Sequence, residues 1–118
     1  MKTNTSRRSA FTLVEIMIVV AIIGLLAAIA IPNFVRARTT SQTNACINNL
    51  RQIDGAVQQW ALENQKTASA TVVQASLNKY LGRGAAGTWP TCPAGGTYAV
   101  TTVATKPSCT IANHVLPN

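Results

Sequence analysis

Acidic side chains are nearly absent from this 118-residue sequence: Glu15, Asp54 and Glu63 stand against ten Lys and Arg, for a formal charge of +7. That scarcity excludes a paired-carboxylate active site. Glu15 sits in an apolar run, and Asp54 and Glu63, nine residues apart, fall on opposite sides of a helix with 3.6 residues per turn. No acid follows Glu63, which leaves nothing to build a carboxylate-rich calcium site in the C-terminal part. Histidine occurs once, as His114, with no acidic orienter in its own segment. No glycine-rich phosphate loop, nucleophile elbow or zinc-protease motif is present. Aromatic residues make up 5% of the chain, and only Trp89 and Tyr98 are candidates for exposed stacking. The cations Arg51, Lys66, Lys79, Arg83 and Lys106 are dispersed, so the basic-plus-stacking pattern of a nucleic-acid surface is weak. The length leaves room for one compact unit and excludes a multidomain machine.

Apolar residues are plentiful and concentrated. Ile16 to Ile31 are all apolar or glycine, and the wider stretch from Phe11 to Ile31 is as long as a helix of about 31 Å, enough to cross the hydrocarbon core of a bilayer. Lys2, Arg7 and Arg8 precede it, which by the positive-inside preference places the C-terminal part outside the cytoplasm. A secretory signal cut after Ala30, at the small-x-small site Ala28-Ile29-Ala30, or a plain anchor would have the same features. Neither accounts for Glu15, because a carboxylate within a membrane helix costs about 2.5 to 3.5 kcal/mol even on lenient insertion scales. If the chain is cut after Ala10, Phe11 carries a free ammonium and Glu15 lies in the first helical turn, where helix-end electrostatics favour an acid. The carboxylate can then meet its own terminal ammonium or that of a neighbour, turning a burial cost into a lateral register signal.

Ser9-Ala10, the run Phe11-Thr12-Leu13-Val14-Glu15, and a long apolar stretch ending at Pro32 together resemble the N-terminal signature of the type IV pilin superfamily, including the pseudopilins of type II secretion. The resemblance covers residues 7 to about 38. It implies that a prepilin peptidase cuts between Ala10 and Phe11 and methylates the Phe11 amine, after which subunits leave the membrane for a helical filament. Ala10 stands where the family usually has glycine; alanine is the next smallest side chain, and cleavage is still expected. The resemblance assigns assembly to Phe11, Thr12, Glu15, Gly24 and Pro32. Proline removes a backbone donor and crowds the carbonyl of Ala28, so a bend is expected there. In filaments of the resembled family the stretch from Gly24 to Pro32 can lose helical bonds and extend.

Beyond the apolar run, Cys46, Leu50, Ile53, Val57 and Trp60 recur at spacings of four, three, four and three, one seam of a helix expected to continue from Phe11 to about Gln65, roughly 80 Å. The seam is too short and too poorly flanked by charge for a coiled coil, and packing beneath a head is expected instead. Gly55 interrupts it, with close approach of another chain segment as the expected reason. From Thr67 the composition shifts to Ala, Ser, Thr and Gly. Val72, Val73, Leu77, Tyr80 and Leu81 trace a short helix stopped at Gly82. Gly84 to Gly87 and Pro90 to Gly96 form loops, and strands near Thr97–Val103 and Ser108–Asn113 are joined through Ala104 to Pro107. The fold class is α+β: a long N-terminal helix, membrane-spanning in its first half, with a short helix and small antiparallel sheet on its second. The segments divide as a 1–10 leader, an 11–32 transmembrane and polymerisation helix, a 33–66 amphipathic helix and a 67–118 head.

A head this small and rich in Thr and Gly buries little apolar surface, and extracytoplasmic domains of that kind often add cross-links. Three cysteines allow three single bridges. Cys92–Cys109 is preferred because it staples the hairpin, contributing about 3 kcal/mol on the chain-entropy view, and Cys46 then becomes a free apolar thiol or an alternative partner. A sharper alternative joins Cys46, Cys92, Cys109 and His114 as four ligands of structural zinc, but paired Cys-x-x-Cys knuckles are missing, so neither metal nor cofactor is expected. The stretch Cys92 to Tyr98, with Cys109 and His114 downstream, also resembles the heads of small bacterial pseudopilins.

The reading is a nonenzymatic structural subunit of a type IV pilus-like filament or type II secretion pseudopilus, with a minor or competence pilin that binds DNA or another ligand as the alternative. Implied partners are further copies or other pilins, the inner-membrane assembly platform, the prepilin peptidase and the lipid bilayer; nucleic acid is not expected. The implied location is the bacterial inner membrane with the head outside the cytoplasm, then a periplasmic or extracellular filament.

Overall fold

Thr12 starts the long helix. In the computed structural model, which describes residues 10–82 and 89–117, its hydroxyl oxygen accepts the backbone N–H of Glu15 at 3.2 Å. Thr12 thereby caps the helix, with an acid in the first turn as the macrodipole favours. Helix α1 spans Leu13–Glu63 and passes through Pro32 without a break in helical structure. It ends in a Schellman turn: Gln65 takes a left-handed φ of 53°, and the Lys66 N–H reaches back to the Ala61 carbonyl at 2.8 Å. The Asn64 side chain also donates to the Trp60 carbonyl, at 2.9 Å.

The chain divides into two compact units, the first ending at Ala37 and the second beginning at Arg38. In the first unit, every large apolar side chain from Phe11 to Val35 is exposed, from 49% at Ile16 to 81% at Phe11. This stretch of α1 is apolar on every side and long enough to cross a membrane.

The second unit holds the core. Cys46, Leu50, Ile53 and Val57 of α1 are fully inaccessible, joined by Ala56 and Ala61, and Trp60 closes the seam half-buried. Val72, Leu77, Leu81, Cys92, Tyr98, Val103 and Leu116 pack against them. The seam expected from spacing is therefore the buried face. Gly55 corrects one expectation: among the described residues nothing lies within 4 Å of where its Cβ would be, so none of them makes the close approach expected there.

After α1 come helix α2 at Gln74–Leu77, a 3-10 turn at Asn78–Tyr80, and strands β1 at Tyr98–Ala99 and β2 at Ser108–Cys109. Gly82, with φ of 63°, provides the left-handed stop after the short helical segment. The strands pair antiparallel, Tyr98 opposite Cys109 and Ala99 opposite Ser108, and Thr110 extends the match by donating its N–H to the Thr97 carbonyl at 3.1 Å. The α+β class expected from sequence is the observed one.

The strands are shorter than expected for a physical reason. Past Ala99 the chain exchanges partners: Val72 donates to the Thr101 carbonyl at 2.9 Å, Val103 to Ala70 at 3.2 Å and Ala104 to Ala68 at 2.9 Å. Thr71 and Thr102 form an antiparallel bridge within this set. Residues 97–104 thus satisfy their backbone first against 108–110 and then against 68–72. The loop expected at Gly84 to Gly87 lies outside the described residues.

Candidate functional site

Two groups of residues carry the chemistry. The first is the start of α1. Ala10, Phe11, Thr12, Glu15, Gly24 and Pro32 are all exposed, and an open groove of about 380 Å³ is lined by Phe11, Glu15, Ile16, Ile18 and Val19. Glu15 is the only acid in this unit and lies among aliphatic side chains. Charge and hydropathy alone do not mark Thr12 as the helix cap; the spacing Thr-x-x-Glu before an apolar run is the sequence signal for that role.

The second group lies in the core of the head. Cys46 from α1, Cys92 from the turn before β1, Cys109 from β2 and His114 near the C-terminal end bring their donor atoms within 4.8 Å of one another. Cys46, Cys92 and His114 are buried and Cys109 is half-buried. All three cysteines are free thiols in this structure.

Local structure explains the convergence. The turn at Cys92 to Gly96 is closed by Gly95 N–H to the Cys92 carbonyl at 2.9 Å and Cys92 N–H to the Gly96 carbonyl at 3.3 Å, with Gly95 at φ of 91°. Gly96 is packed against the hairpin so closely that a Cβ there would lie 2.7 Å from Ile111 Cγ1 and 2.8 Å from Cys109 Sγ. Asn49 ties this turn to α1, donating to the Thr91 carbonyl at 3.3 Å and to the Tyr98 hydroxyl at 3.1 Å.

His114 is held at both ring nitrogens. Nδ1 faces Cys92 Sγ at 3.4 Å, and Nε2 faces Thr43 Oγ1 at 3.2 Å. The Thr43 hydroxyl proton is committed to the Thr39 carbonyl at 3.0 Å. Thr43 can then only accept, so Nε2 carries the imidazole proton and Nδ1 presents a lone pair to the sulfurs.

The thiols differ electrostatically. Burial pushes the Cys46 thiol up to about 12. Burial also works against a Cys92 thiolate, but the backbone amides of Ala94 and Gly96, with Cys46, outweigh it and hold Cys92 down at about 6. Burial and the neighbouring Cys46 raise the Tyr98 hydroxyl above its ordinary range.

The first group is decided by comparison with known proteins. A family described as the prokaryotic N-terminal methylation motif matches residues 5–31. The chain is 35% identical over 96 residues to a type IV major fimbrial protein FimA of Dichelobacter nodosus, covering 81% of this chain and 62% of that protein. It is 53% identical over 47 residues to the type IV major pilin protein PilA of Myxococcus xanthus, covering 40% and 21%. With the type II secretion system core protein G of Klebsiella pneumoniae it shares 32% over 60 residues, covering 51% and 43%. The chain carries the N-terminal methylation motif of type IV pilins and type II secretion pseudopilins, and its relatives are of both kinds. It spans less than two thirds of the length of each of these three relatives. No solved structure matches.

Pilins of this family are structural and not enzymatic, and a membrane or filament location follows from the family and its hydrophobic N-terminal helix. Several other polar residues have local partners. Glu63 accepts hydrogen bonds from the Tyr80 hydroxyl and the Gln59 amide, while Lys66 and Lys79 lie over the rings of Trp60 and Tyr80. One candidate for a nucleic-acid surface is corrected: Tyr98 is buried in the core and cannot stack on a base. Trp89 is half-buried, and Arg83 lies outside the described residues.

Proposed function

We propose that this chain is a structural subunit of a type IV pilus-like filament or a type II secretion pseudopilus. In this reading, residues 1–10 are a leader removed between Ala10 and Phe11, and the Phe11 amine is then methylated. Residues 11–32 hold the subunit in the inner membrane and then pack against other copies. Residues 33–66 continue the spine, and the head at 67–118 faces outward from the cytoplasm. The observation that carries the reading is an α1 segment within the methylation motif whose apolar side chains are exposed on every side.

An apolar helix left exposed by the described residues needs lipid or like helices around it. Glu15 then supplies the directional element: in a bundle of such helices, pairing with the Phe11 ammonium of a neighbour offsets its desolvation at one axial stagger and not at others. Other pilins, an assembly platform and a peptidase are the partners this cycle requires.

Direct N-terminal sequencing of the protein recovered from membranes and filaments tests the processing step. The expected first residue is a methylated Phe11. A start at Ile31 would establish a secretory signal, and an intact Met1 an uncleaved anchor; either overturns the reading.

A further inference from the structure

We propose that Cys46, Cys92, Cys109 and His114 form a tetrahedral Cys₃His site for structural zinc, clamping the hairpin and the C-terminal segment to α1. The four donors come from four separate parts of the chain and converge within 4.8 Å. A regular tetrahedron with Zn–S bonds of about 2.3 Å places sulfurs about 3.8 Å apart, so a contraction of about 1 Å at the widest edge completes it. Three sulfurs and one imidazole nitrogen are a known structural zinc set, and no carboxylate is needed.

The surroundings are those of a built site. Thr43 receives the Nε2 proton and leaves Nδ1 as the donor toward the sulfurs, the outer-shell arrangement that orients metal-binding histidines. Gly95 N–H closes the turn on the Cys92 carbonyl, and Gly96 admits that turn against Cys109 Sγ. A single disulfide in this cluster uses two sulfurs and leaves the third cysteine and an oriented histidine without a role. Zinc uses all four. On binding, one Zn²⁺ enters, each thiol still protonated gives its proton to solvent, and neutral imidazole gives a lone pair, leaving the centre with one net negative charge.

The test uses the full chain in detergent, purified without chelator. Elemental analysis is expected to give one zinc per chain, with three titratable thiols after denaturation. Cobalt(II) added to the reduced, zinc-stripped chain is expected to saturate at one per chain with thiolate charge-transfer and tetrahedral ligand-field bands. His114→Cys is expected to keep cobalt and shift the spectrum to that of four thiolates. Thr43→Val, which keeps every ligand, is expected to weaken zinc binding about 10- to 100-fold. Isolation of the chain with a disulfide and no zinc, or a reduced wild-type chain that takes up no cobalt, would overturn the site.

Discussion

Between Phe11 and Val35, α1 exposes every large apolar side chain; between Cys46 and Ala61 it buries a narrow seam, half-buries Ile47, Asn49, Asp54 and Trp60, and exposes the rest. One continuous helix thus meets the cost of exposed hydrocarbon in two ways. The later stretch confines its apolar residues to spacings of three and four, and the head covers them. The earlier stretch has no polar side, so nothing in its own unit can cover it. Burial in the first case is a property of the folded chain, and in the second it must come from lipid or from further subunits.

The sharpest way to break this comparison is Glu15→Leu. It removes a charge that costs about 2.5 to 3.5 kcal/mol on membrane insertion, so the protein is expected to reach the membrane as well as before or better. Incorporation into filaments is expected to fall to near background, measured as the sheared filament fraction against the membrane pool. Normal filaments would show that the first stretch assembles by hydrophobicity alone.

A pair of truncations then contrasts the two stretches directly. Leu50 is fully buried, and Leu50→Ala is expected to destabilise the head by about 2 to 5 kcal/mol. Ile22 is exposed, and Ile22→Ala is expected to leave head stability within about 0.5 kcal/mol. Denaturant unfolding of the detergent-solubilised chain, followed by tryptophan fluorescence, compares them. Equal effects would mean that the two stretches do not differ in the way described.

The smallest effect is expected at Gly55. Its Cβ position is open, so Gly55→Ala is expected to raise stability by about 1 kcal/mol in the same unfolding experiment. A loss of stability would point to an interface over that face in the assembled state.

Much of this was legible in the residue pattern. The seam through Cys46, Leu50, Ile53 and Val57 declares itself by helical spacing, and Gly82 marks the stop of the short helical segment. The sheet was less legible because residues 68–72, Ala-Ser-Ala-Thr-Val, lack the alternation that marks a half-buried strand, yet they supply backbone partners for 101–104. A tyrosine in a Thr-rich segment suits either face, so the sequence leaves Tyr98 a candidate for the surface, and only packing against the seam puts it inside.

The chain's own order of residues determined the long helix, its uncovered apolar stretch and the methylation motif, because charge placement, periodicity and capping act between near neighbours. Tertiary structure alone decided that three cysteines and one histidine, spread from Cys46 to His114, meet at a single point with the imidazole turned toward the sulfurs. The physical reason is that such a meeting depends on where the hairpin returns to the helix. That path follows from backbone pairing and core packing between distant segments, and no local spacing records it.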